Sequence, residues 1–144
     1  MALPKPHEGL VVRYGYLWEW QRRQGQEEGK DRPCMILRLY QTPDMPAPRA
    51  IVLPITHAPP DPGLGQEGIE IPATTARRLG LDDERSWLMV SECNLFRWPG
   101  PDVRPVDATR NAYGPIPPSL YGRARDRFVE RAGQRRVTAV TRSE

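Results

Sequence analysis

Seventeen prolines are scattered along this chain of 144 residues, and they limit what it can build. Each proline removes a backbone donor, so a helix or sheet interior tolerates it poorly and a loop tolerates it well. The apolar runs between them are short and rich in β-branched and aromatic side chains, the composition of strands. Residues 10–18, 33–41, 49–56, 69–71 and 86–93 read this way, with Phe96-Arg97-Trp98 extending the pairing beyond a break. The connector Thr42-Pro43-Asp44-Met45-Pro46-Ala47-Pro48 suits a hairpin turn.

Two segments carry helical signals. Residues 72–80 have hydroxyls near the start, arginines near the end and a glycine stop. From Pro118, the residues Leu120, Ala124, Phe128 and Ala132 recur every four positions and form an apolar stripe that ends near Gly133. Residues 99–118 lack periodicity and read mostly as loop. Short strands, a closing helix and no βαβ alternation predict a mainly β (α+β) fold, a small and strongly bent antiparallel sheet or barrel. One domain is expected over residues 1–132.

The formal charge of +3 is unevenly spread. From Gly122 onward seven arginines face Asp126, Glu130 and Glu144, which leaves the rest of the chain near neutral. The sequence pI of about 9.1 therefore reflects a basic C-terminal tail, residues 133–144. Such a tail serves either as a polyanion-binding arm or as a solvated helix face with a frayed end. No apolar run nears the ~20 residues that span a bilayer, and the N-terminus lacks a signal-peptide core, so a cytoplasmic protein without membrane contact is expected. Cys34 and Cys93 both lie in apolar runs and read as buried free thiols. Neither has a metal-ligand companion, so no metal and no cofactor is expected.

Several motifs bear on function. Gly63-Leu64-Gly65-Gln66-Glu67-Gly68 spells the dinucleotide fingerprint, but a strand follows it instead of a helix, and the motif is discarded. Glu92 lies in an apolar strand, where a lone carboxylate is costly; it is either paired, for example with an arginine, or exposed at a strand end beside a site. Trp18, Trp20 and Trp98 serve either as core or as stacking platforms for bases. The charged, glycine-punctuated segment 25–31 runs into Arg32-Pro33, where proline biases Arg32 toward an extended backbone. A guanidinium fixed at that point presents a fork of donors matched to phosphate. A second apolar run, Ile51–Ile55, ends at Thr56-His57, placing a hydroxyl and an imidazole at a strand end.

The run Gly25-x-Glu27-x-Gly29-x-x-Arg32-Pro33, followed by Cys34–Leu37, resembles the GSEQxGxRP-plus-strand signature of the MazF/PemK-like toxins of bacterial toxin–antitoxin systems. The similarity continues through Ile51–Thr56, Glu70–Leu81, Ser91-Glu92-Cys93 and the final helix, roughly residues 8–132. It implies an SH3-like antiparallel β-barrel with a short internal helix and a C-terminal helix. It also implies a homodimer with single-stranded RNA in the interfacial groove, a cognate antitoxin, and metal-independent endoribonuclease activity. Arg32 and Thr56 then occupy the catalytic positions, and Gly25 and Gly29 belong to a mobile loop. Glu27, His57 and Glu92 are the possible general bases or substrate contacts. Three departures bear on cleavage sequence, groove width and dimer geometry: Trp18–Arg23 between the first two strands, Cys93 in place of a glutamine, and the long proline-rich segment 99–118.

Overall fold

The computed structural model describes residues 2–142. Nine strands and three helices follow one another: β1 (Leu10–Tyr16), α1 (Glu19–Arg23), β2 (Lys30–Tyr40), β3 (Arg49–Thr56), β4 (Gly68–Glu70), α2 (Ala73–Leu79), β5 (Trp87–Met89), β6 (Glu92–Arg97), β7 (Val103–Arg104), β8 (Gly114–Pro115), α3 (Pro118–Gly133) and β9 (Thr138–Thr141). The result is the mainly β, α+β architecture that the short apolar runs predict. Most prolines fall in the connections, as their missing donor requires.

The sheet path runs β4-β5-β3-β2-β1-β7, with β6 branching from β3 and carrying β9, and β8 on β1. Alternation along the central strands sorts side chains into two cores. Val11, Met35, Leu53 and Ile55 point to one face, which α2 covers with Ala76 and Leu79 and α3 with Leu120 and Ala124. Val12, Tyr14, Tyr16, Cys34, Ile36, Val52 and Phe96 fill the other, aromatic face. Tyr14 and Phe96 stack there with centroids 4.5 Å apart. Both cysteines are buried and free.

The structure departs from expectation in several places. The sheet is open: among the described residues no backbone ladder joins its outer strands. Side chains bridge the gap instead. Buried Asn94 of β6 donates to the Leu17 carbonyl at 2.8 Å and accepts from the Leu17 amide at 3.0 Å, so its amide acts as a short piece of strand. The pairing is also not wholly antiparallel, because β9 runs parallel to β6. That strand lies within the segment 133–144 expected as a basic tail. Arg142, just after it, is 6% exposed and donates to the Gly15 carbonyl at 2.6 Å and to Asp102 at 3.1 Å. Its charge is therefore an internal lock on β1. Met1, Ser143 and Glu144, the outer ends of the two expected ranges, lie outside the described residues.

Residues 86–93 divide into two strands at Val90-Ser91, because β5 pairs with β4 and β6 pairs with β3 and β9. Trp18–Arg23, read as loop, contains α1, whose first turn is held by Gln21 accepting from the Trp18 amide at 3.0 Å. In α3 the apolar stripe stops at Phe128. Ala132 is exposed, and Arg131, 3% exposed, takes the buried position by bonding the Gly65 and Arg136 carbonyls and Glu67.

Candidate functional site

Arg32 is the third residue of β2, not the first after a loop. The strand begins at Lys30, and Arg32 sits opposite Tyr14 of β1 while Pro33 opposes Arg13. The β1 ladder on one side and Pro33 on the other hold its backbone extended. On its other side β2 pairs with β3, the last bridge being Cys34 with Pro54. That ladder ends two residues short of an Arg32–Thr56 bridge, and Ile55 and Thr56 pair with β5 instead. Strand alternation puts both on the aromatic face, with Cys34 and Val52.

The surroundings of the guanidinium suit anion binding. Its carbon lies 5.4 Å from the centroid of Trp18, a cation–π contact. Arg32 forms no ion pair among the described residues, and its buried Nε has no hydrogen-bond partner. Buried donors are nearly always satisfied, so an orphaned guanidinium N–H signals a missing acceptor. The Thr56 hydroxyl accepts from the Ala58 amide at 3.2 Å, which leaves its own proton free to donate.

Glu92 joins this face from β6. Its Oε2 accepts from the Tyr16 hydroxyl at 2.9 Å and from the Glu19 amide at 3.2 Å. The expectation that a carboxylate here is paired holds, with a phenol and an amide as partners and no arginine. Burial pushes its pKa up, against the opposing pull of those two bonds. Glu92 also lines a groove of about 380 Å³ with Trp18, Trp20, Arg23, Met89 and Thr138. Trp18 therefore connects the two groups, touching the Arg32 guanidinium and walling the Glu92 groove. Tyr16 packs edge-on against it with centroids 5.0 Å apart. The role of Tyr16 was missed in the sequence, although the alternate spacing Tyr14, Tyr16, Trp18 signals a single aromatic face.

His57 is not brought to this face. It lines a separate cavity of about 280 Å³ with Pro33 and Ile55, residues that alternate onto the helix-covered side. Its Nδ1 lies 2.9 Å from the Arg85 carbonyl and its Nε2 2.7 Å from Asp82. The end of β3 thus sends Thr56 and His57 in opposite directions, and the imidazole is removed as a base for chemistry at Arg32.

Residues 24–28 are exposed, and the Glu27 carbonyl accepts from Arg142 at 3.3 Å. Gly25 adopts φ +84 with no neighbour near a hypothetical Cβ. Gly29 differs: a side chain there would strike the Tyr16 carbonyl. It is a close-packing glycine that seats the start of β2 on β1, and its role is contact more than mobility.

With Arg32, Thr56, Glu92, Tyr16 and Trp18 on one face, the arrangement offers a fixed cation, a hydroxyl donor and a carboxylate of raised proton affinity beside an aromatic wall. Comparison with known protein families, characterised proteins and solved structures finds no match to this chain.

Proposed function

We propose that the protein is a metal-independent endoribonuclease that cuts single-stranded RNA, leaving 2′,3′-cyclic phosphate and 5′-OH ends. The single observation that carries this reading is the Arg32 guanidinium, in cation–π contact with Trp18 and with an orphaned Nε, on the face to which strand alternation also assigns Thr56. Arg32 binds the scissile phosphate and offsets the charge that builds on its oxygens. Thr56 donates to the same phosphate or to the 2′-OH. Glu92, in its carboxylate form, takes the 2′-OH proton as the 2′-oxygen bonds to phosphorus. The P–O5′ bond breaks and the leaving oxygen takes a proton from solvent. Burial raises the affinity of Glu92 for a proton, which makes it a stronger base than an exposed carboxylate. Single-stranded substrate follows because in-line attack needs an unstacked sugar–phosphate, which A-form helices resist.

Within this reading the protein acts in the cytoplasm as the growth-inhibiting member of a toxin–antitoxin pair. It pairs with a second copy of itself and is neutralised by an acidic antitoxin. The test is incubation of purified protein with single-stranded RNA in excess chelator. Cleavage is expected, reduced about 10²–10³-fold in Arg32→Ala, the usual loss for one preorganised donor. Intact RNA, or equal rates in the variant, refutes the nuclease.

A second reading is a non-catalytic module that binds RNA or a protein partner. It is favoured by the bonds from Tyr16 and Glu19 that already occupy Glu92. It predicts RNA binding with a shallow salt dependence, set by few phosphates, and no cleavage.

A further inference from the structure

We propose that His57, Asp82 and Glu84 form a binding site for a first-row divalent cation, with Zn²⁺ the best-matched ion. The site lies on the face away from Arg32 and takes no part in the proposed cleavage, so it stands or falls independently of that reading.

A carbonyl oxygen can only accept, so the 2.9 Å contact between His57 Nδ1 and the Arg85 carbonyl places a proton on Nδ1. The neutral ring then presents a bare lone pair at Nε2. That nitrogen faces two carboxylates, Asp82 Oδ2 at 2.7 Å and Glu84 Oε2 at 3.5 Å. Lone pair against carboxylate is repulsive, and a positive centre must lie between them. A second proton on the ring supplies one charge; a divalent cation supplies two, matching the two carboxylates.

The ring orientation is that of metal-ligating histidines, which donate the nitrogen not used for the metal to a backbone carbonyl or carboxylate. The three donor atoms lie within 4.8 Å of one another. Zn–N and Zn–O lengths of about 2.0–2.2 Å place tetrahedral ligands about 3.3 Å apart. The Glu84 spacing is already near that value. Asp82 must withdraw by about half an ångström, which its exposed side chain permits.

An independent observation points the same way. The Ser86 hydroxyl is 2% exposed, has no hydrogen-bond partner, and lines the cavity that His57 and Asp82 share. A water held in the open position of a three-ligand cation would satisfy it. The nearest guanidinium on the same loop does not neutralise the cluster, because Arg85 is committed to Glu70 at 2.7 and 2.9 Å. Arg77 and Asp83 line the adjoining cavity with Asp82 and Glu84. One imidazole with two carboxylates suits Zn²⁺ better than Mg²⁺. The cysteine-based expectation of no metal overlooked these residues because 25 positions separate His57 from Asp82 in the chain.

The test is calorimetric titration of the tag-free full chain with ZnCl₂ near neutral pH. One saturable equivalent is expected, together with a rise in Tm by mass action. His57→Ala and Asp82→Asn should each weaken binding at least about tenfold, the smallest loss typical of disturbing even an outer-shell partner. Glu84→Gln, on an exposed side chain, serves if His57→Ala fails to fold. His7→Gln should bind as the parent does. No saturable binding, binding unchanged in His57→Ala or Glu84→Gln, or equal affinity for Mg²⁺ overturns the site.

Discussion

Removing Arg142 tests whether the chain's basic end is a solvated arm or part of the fold. Arg142→Ala deletes a guanidinium that is 6% exposed and donates to the Gly15 carbonyl (2.6 Å), the Tyr14 hydroxyl (3.1 Å) and Asp102 (3.1 Å). Its Nη1 also lies 3.3 Å from Asn94 Oδ1, the oxygen that accepts from Leu17. Breaking a buried ion pair from one side typically costs ~3–5 kcal/mol, because the remaining charge is left uncompensated. Asp102 keeps a weaker partner in Arg104 at 3.7 Å, which sets the expectation at the lower end, ~3 kcal/mol. For a domain of this size that is a fall in Tm of roughly 10 °C. Urea unfolding followed by tryptophan fluorescence measures it, and Arg142→Ala/Asp102→Asn should recover part of the loss by removing the stranded carboxylate. A cost below ~1 kcal/mol, the range of exposed pairs, would refute the claim that this arginine is an internal lock on β1.

Other substitutions probe separate parts of the structure. Gly29→Ala forces a methyl onto the Tyr16 carbonyl and should cost ~1–3 kcal/mol in urea unfolding, as overpacking does. At Gly25 the same change meets open space but a left-handed backbone, and a smaller loss near ~1 kcal/mol is expected. Leu120→Ala empties the contact of α3 on the sheet and should cost ~2–5 kcal/mol, read by the same method. Glu92 gives a pH signature: its folded pKa is raised by burial, so its stabilising contribution is full below the unfolded value and is lost as pH rises through the folded one. Stability of Glu92→Gln should lack that decline, and cleavage by the parent should rise over the same interval as the base deprotonates.

The placement of Arg32 and Thr56 on one face was half legible. A run that ends at Thr56 and another that opens near Arg32 can be read from composition, and strand alternation then predicts that His57 leaves the face that Thr56 keeps. The partner of Glu92 was not legible. Tyr16 reaches it across 76 positions, through curvature of the sheet that no local pattern encodes. Glu92 thus gains its phenol partner and its place in the Trp18 groove only once β1 and β6 are brought together.

The same division holds for the fold. The helix α3 begins at Pro118, as its proline start predicts, and its last residue is Gly133, with the left-handed turn two residues later at Arg135. The strand β3 spans Arg49–Thr56, the range read from the sequence around the apolar run Ile51–Ile55. Such elements are determined locally, because period and punctuation act within a few residues. β9 is different: Thr-Ala-Val-Thr, after a glycine and several arginines, carries too little apolar pattern to declare a strand. It becomes one because β6 offers a parallel edge and Val140 finds a fully buried place. Tertiary structure also decided that the sheet stays open and is bridged by Asn94 and Arg142. The physical reason is that an amide or guanidinium satisfies a buried backbone group only where folding delivers one, and chain order carries no record of that distance.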